Sequence, residues 1–137
     1  MEHKVNCAWK GKMAFETTTD GHKIMIDADE KVGGENRGPI PKPLMLTALA
    51  GCTGMDVVSL MKKMRVEFDD FCVEVNGELS EEHPKFYKKI HLDYIITGQD
   101  ADRDKVRKAV DLSLERYCGV HYMLKRATEV VHKIIFN

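Results

Sequence analysis

From Leu44 to Val58 the chain reads Leu-Met-Leu-Thr-Ala-Leu-Ala-Gly-Cys-Thr-Gly-Met-Asp-Val-Val, apolar on nearly every face a helix would present. A helix with one apolar stripe can rest on a surface, but one that is apolar nearly all round is covered from several sides. Pro43 suits the first turn, where its missing N–H costs little, and helical composition continues to about Met64. Gly51 and Gly54 flank Cys52. Each costs about 1 kcal/mol of helix propensity, and in return each lets another backbone come close. A partner helix or a second subunit is implied. The longest apolar run, Leu44 to Met61, contains Asp56, Ser59 and two glycines, whereas a membrane span needs about 20 predominantly apolar residues. It reads as a core helix, with Met45, Met55, Met61 and Met64 filling a core or lining an apolar pocket.

The flanking sequence supplies the rest of the architecture. Residues 3–9, 12–18 and 23–28 read as three antiparallel strands, the last two joined at Asp20-Gly21, a strong hairpin signal. Gly, Pro and charge fill residues 29–43, which form a long loop with a functional character. Two long strands follow at residues 68–79 and 86–97, where Phe71, Val73, Val75 and then Ile90, Leu92, Tyr94, Ile96 alternate with polar neighbours. A second helix carries Val106, Ala109, Val110, Ser113, Leu114 and Tyr117 on one stripe and ends at Cys118. A short helical turn near Val120 to Lys125 and a closing strand from Glu129 to Ile135 complete the order. This is an α+β arrangement, and the simplest packing is one curled antiparallel sheet around two helices. At 137 residues and 43% hydrophobic content, residues 1–137 make a single domain with enough apolar mass for its own core.

Charge narrows the function classes. The 21 Lys and Arg residues nearly cancel the 22 Asp and Glu, and no basic stretch is interleaved with aromatics, so neither a nucleic-acid nor a membrane partner is expected. The start, Met1-Glu2-His3-Lys4-Val5, has no secretory pattern, which gives a cytoplasmic address as the expectation. Cys7, Cys52, Cys72 and Cys118 are widely and irregularly spaced with no Cys-x-x-Cys pair, so reduced thiols are the default.

Two of these thiols stand apart. Cys52 lies in a small-residue stretch of a buried helix and Cys118 ends another, an arrangement that fits an attacking and a resolving cysteine brought together by the fold. The bland alternative is packing, because unpaired cysteine is among the most buried residue types. Gly51, Thr53, Gly54 and Asp56 weigh against it by leaving space and polarity beside the thiol. Cys7 and Cys72 are assigned to packing. A nucleophilic thiolate needs a nearby cation, for which Arg37, Lys42, Arg116 and His121 are candidates. Arg37 is preferred, since a planar guanidinium can hold a thiolate and a peroxide oxygen together.

The segments Pro41-Lys42-Pro43-Leu44-Met45-Leu46-Thr47-Ala48-Leu49-Ala50-Gly51-Cys52-Thr53-Gly54-Met55-Asp56-Val57 and Glu115-Arg116-Tyr117-Cys118-Gly119-Val120, with Leu124 and Glu129-Val130, resemble the OsmC/Ohr superfamily of osmotically inducible and organic hydroperoxide resistance proteins. The resemblance covers nearly the whole chain. It implies an intertwined homodimer in which sheets wrap two central helices, with the sites near the subunit interface. It also implies a cysteine-based hydroperoxide reductase of the oxidative stress response: a thiol-dependent peroxidase in which Cys52 is peroxidatic and Cys118 resolving. A thiol or a lipoylated protein would reduce the resulting disulfide. The chain looks closest to a less characterised branch. Relatives carry a glutamate where this chain has Lys42, and an arginine in the amino-terminal hairpin where only Lys10 and Lys12 are near. Arg37, oriented by Glu35, is the substitute pair.

Two other readings are carried alongside. One is a non-catalytic dimeric module that uses the same crevice for a small apolar ligand or partner, or as a redox sensor. The other is zinc held by Cys52, Cys118 and a histidine such as His121, since thiolate and imidazole suit that ion. The reading adopted assigns no cofactor and no metal.

Overall fold

A computed structural model describes all residues from Met1 to Asn137. The chain divides into two compact units, Met1–Met45 and Leu46–Asn137.

In the first unit, β1 (Val5–Trp9), β2 (Phe15–Thr19) and β3 (His22–Ile26) form an antiparallel sheet in sequential order. The Asp20-Gly21 hairpin forms as the sequence requires. Thr19 pairs with His22, and Asp20 and Gly21 both take positive φ, 51° and 77°. That combination gives a two-residue turn whose twist matches the strands. Beyond β3 the chain makes one 3-10 turn, Glu30–Val32, and otherwise runs irregularly to Pro43.

The second unit is built on α1 (Pro43–Lys63), which starts in the last residues of the first. Its buried residues, Leu49, Thr53, Val57 and Met61, recur every four positions and so form one stripe. The sheet is β4 (Asp70–Leu79), β5 (Tyr87–Thr97) and β6 (Glu129–Phe136), in that order. On β5 the buried side chains Ile90, Leu92, Tyr94 and Ile96 alternate with less buried ones, and they join the α1 stripe in one apolar cluster. Val106, Ala109 and Val110 of α2 (Arg103–Leu112) belong to the same cluster.

The α+β class and the element order agree with the sequence, but two details differ. The β strands form two three-stranded sheets rather than one curled sheet, and β6 runs parallel to β5. The element order alone makes one antiparallel sheet the simplest packing. The connection from β5 to β6 passes through α2 and α3 (Gly119–Leu124), and such a crossover brings the chain back in its original direction. The second difference is at the end of α2, where Ser113–Tyr117 widens into a π-helical turn closed by Cys118 N–H donating to Ser113 O at 2.7 Å. The extra residue breaks the 3.6 period. Ser113 is buried as expected, while Tyr117 is exposed instead of completing the stripe.

Candidate functional site

The π-turn and α1 together bring the two singled-out thiols into one place. Cys52 lies on α1 beside the buried Thr53, and Cys118 follows the π-turn and caps α3. The sulfurs of Cys52 and Cys118 and a carboxylate oxygen of Asp56 all lie within 4.8 Å of one another. Cys118 is buried and Cys52 half-buried, and no disulfide joins them. The exposed Cys7 and Cys72 stand outside this group. In the single chain neither does the packing work assigned to it, because each sits at an outward position of a strand.

Polar groups beneath the thiols are fully connected. Ser113 Oγ donates to Asp56 Oδ2 at 3.1 Å, and Thr53 Oγ1 lies 2.7 Å from Ser113 Oγ and 2.7 Å from Tyr94 Oη. Each hydroxyl carries one proton. Since Ser113 spends its proton on Asp56, it accepts from Thr53, and Thr53 in turn accepts from Tyr94. The result is a one-way chain, Tyr94 to Thr53 to Ser113 to the Asp56 carboxylate. Thr53, Ser113 and Tyr94 are all 0% exposed, so each hydroxyl depends on its neighbour for a partner. Burial pushes the Tyr94 phenol up to about 12.

Cys118 is held in the same framework. His121 N–H donates to its sulfur at 3.4 Å, and His121 Nδ1 is 2.9 Å from Leu114 O. Burial pushes the Cys118 thiol up to about 11, with the adjacent Cys52 thiol and Asp56 carboxylate adding to the rise and the His121 N–H opposing it. The thiol is therefore protonated at neutral pH. Burial also lowers the His121 pKa, which leaves its imidazole neutral and suited to a structural bond rather than to a cation's role.

Arg37 and Glu35 belong to the amino-terminal unit, where a carboxylate that the sequence did not single out organises both. Asp27 is 2% exposed. It accepts from the backbone N–H groups of Ala28, Glu35 and Arg37 at 2.7, 3.2 and 3.1 Å and from Arg37 Nε at 3.4 Å. The Ala28 N–H leads the groups that hold its pKa below the ordinary value, ahead of Arg37 and Glu35. Glu35 is 3.9 Å from both Arg37 Nη2 and Lys12 Nζ. The Arg37–Glu35 pairing read from the loop is present, with Asp27 as its anchor. The signal for Asp27 was slight, a lone carboxylate at the end of a strand before a Gly-rich loop. Asp56, Ser113 and Tyr94 likewise read as helix polarity or core, because only the fold lines them up with the thiols.

The second unit also has an open apolar groove of about 670 Å³ along α1, lined by Ala50, Gly51, Gly54, Met55 and Val58 with Phe71 and Val73 of β4. Gly51 and Gly54 line this groove, but in the single chain no other backbone comes close to them: a Cβ on Gly51 would meet nothing within 4 Å and one on Gly54 only Val73 Cγ2 at 3.5 Å.

A small α+β protein with a dithiol and a carboxylate gathered at the junction of a core helix and a π-turn is, as a class, a thiol-site protein. Comparison with known proteins makes the assignment specific. Residues 33–133 match the pattern of the OsmC-like protein family. Protein YhfA of Escherichia coli K12 is 36% identical over 115 residues, 84% of this chain and 83% of that protein. A hypothetical protein from Aquifex aeolicus superposes with a TM-score of 0.84 at 28% identity, covering 100% of this chain and 98% of that one. The organic hydroperoxide resistance protein OsmC of Legionella pneumophila shares the fold, with a TM-score of 0.71 at 18% identity over 98% and 97% of the two chains. The chain belongs to the OsmC-like protein family.

Proposed function

We propose that this protein is a thiol-dependent peroxidase acting on organic hydroperoxides, with hydrogen peroxide as a second substrate. The observation that carries the reading is the approach of the Cys52 and Cys118 sulfurs within 4.8 Å. Cys52 thiolate attacks the terminal peroxide oxygen; the O–O bond breaks, the alcohol leaves, and Cys52 becomes a sulfenic acid. Cys118 sulfur then attacks Cys52 sulfur, the S–O bond breaks, water departs, and a disulfide remains. An external dithiol, small or on a lipoylated protein, exchanges with it and restores both thiols. Arg37 is the activating cation and Glu35 orients it, with Asp27 holding the pair. The substrate class is supported by proteins of the same fold, several of which are organic hydroperoxide resistance proteins.

The working unit in this reading is a cytoplasmic homodimer. On α1, Met55 is 76% exposed and Met45 50% exposed, and the apolar groove beside Met55 lies open. A second copy of the same helix is the occupant of matching chemistry. Sedimentation should give a dimer and Met55→Glu a monomer; a wild-type monomer at assay concentrations refutes this part.

Stoichiometric cumene hydroperoxide should consume two thiols per chain and leave a Cys52–Cys118 disulfide identifiable by peptide mapping. Cys52→Ser should abolish turnover, and Cys118→Ser should leave a trappable sulfenic acid. Arg37→Ala should slow the first step. The elevated Cys118 pKa favours the second reading, a binding or sensing module whose Cys118 thiol reacts slowly. Thiols that survive the peroxide series unchanged, in a protein that an apolar ligand stabilises, would establish that reading instead.

A further inference from the structure

We propose that the reduced protein binds a zinc ion through Cys52 Sγ, Cys118 Sγ and a carboxylate oxygen of Asp56, leaving the fourth position open. The three donor atoms already lie within 4.8 Å of one another. Zinc bonds of about 2.3 Å to sulfur and 2.0–2.2 Å to oxygen place tetrahedral donors about 3.4–3.8 Å apart. Cys52 and Asp56 lie one turn apart on α1, so closing that difference takes shifts of about 1 Å in side-chain atoms.

The supports that a metal centre requires are in place. Ser113 Oγ donates to Asp56 Oδ2 at 3.1 Å and fixes the carboxylate, with Thr53 and Tyr94 backing Ser113. His121 N–H donates to Cys118 Sγ at 3.4 Å, and Cys118 N–H donates to Ser113 O at 2.7 Å. One framework thus orients the donors from outside, as partners behind metal ligands do. His121 is not the third ligand, because its ring nitrogens do not join the cluster of donor atoms formed by Cys52, Asp56 and Cys118. Two thiolates disfavour magnesium and calcium, which take oxygen ligands, while a carboxylate as third donor favours zinc over cuprous copper.

Binding releases the two thiol protons, so affinity rises with pH. A Cys52–Cys118 disulfide has no thiolate to offer, so oxidation expels the metal. Zinc occupancy and peroxide turnover therefore compete for the same sulfurs, and the site stands whether or not turnover occurs.

The test uses the full chain, reduced, stripped with chelator and freed of reductant. Zinc is titrated against a chromogenic chelator, and cobalt serves as the spectroscopic probe of thiolate ligation. The expected result is one zinc per chain and a sulfur-to-cobalt charge-transfer band. Cys118→Ser should lose both. Asp56→Asn, which preserves volume, should weaken zinc by at least about the 10–100-fold typical of losing a supporting partner. Cys7→Ser and Cys72→Ser should bind as wild type, and protein oxidised to the disulfide should bind nothing. The proposal is overturned if the folded reduced protein takes up no zinc, if Asp56→Asn binds like wild type, or if uptake follows Cys7 and Cys72. Peroxide consumption by the stripped protein, measured separately, reports on the peroxidase reading alone.

Discussion

Replacing Thr53 by Val removes one hydroxyl from the buried chain under the thiols with almost no change in shape. Its consequences follow from proton counting. Ser113 keeps its bond to Asp56 but loses the donor it accepted from, at about 0.5–1.5 kcal/mol. Tyr94 loses its acceptor while remaining 0% exposed, and an unsatisfied buried hydroxyl costs about 1–3 kcal/mol. The added methyl returns about 0.8 kcal/mol by burial. The net destabilisation is about 1–4 kcal/mol, which for a chain of this size lowers Tm by about 3–15 °C. Thr53→Ser keeps the hydroxyl and should cost only about 1 kcal/mol for its missing methyl. Tyr94→Phe removes the stranded donor, so the double variant Thr53→Val with Tyr94→Phe should be more stable than the sum of the singles by about 1–2 kcal/mol. Urea unfolding at fixed protein concentration measures wild type and the four variants. Additivity of the pair, or a Thr53→Val effect below about 0.5 kcal/mol, refutes the one-way chain.

Three further outcomes are expected. With iodoacetamide on the folded protein, Cys118 should label only as pH climbs toward its value of about 11, well behind the exposed Cys7 and Cys72; equal labelling of Cys118 at neutral pH contradicts its burial. The folded Asp27 carboxyl titrates below its ordinary 3.8, so the order it gives residues 28–37 is fully present above that pH and is lost as pH falls through the folded value. Amide exchange of Glu35 and Arg37 should therefore stay slow at pH 5 and rise in stronger acid, whereas Asp27→Asn should exchange fast throughout. A Cβ on Gly34 would sit 2.0 Å from Ala28 O and 2.4 Å from its carbonyl carbon. Gly34→Ala must displace backbone at a cost of about 1–3 kcal/mol, and an unchanged urea midpoint would show that the loop yields freely.

Local periodicity was enough to place the elements. The near-continuous apolar run announced α1, period-two alternation announced β4 and β5, and Asp20-Gly21 announced the first hairpin, because each depends on neighbours a few residues away. The parallel entry of β6 and the split into two sheets were not legible, since strand direction depends on where a crossover returns the chain. At the site, Cys52 and Cys118 stood out by residue type and company. Their ring of support did not: Asp56 and Thr53 on α1, Tyr94 on β5 and Ser113 in the π-turn lie up to 60 positions apart and share no local pattern. Sequence by itself therefore determined which reactive groups and which local elements this protein has, because thiols, carboxylates and helix-forming runs are properties of residues. Only tertiary structure decided what those groups face, because burial, donor direction and distance arise when α1, β5 and the π-turn close around a common core.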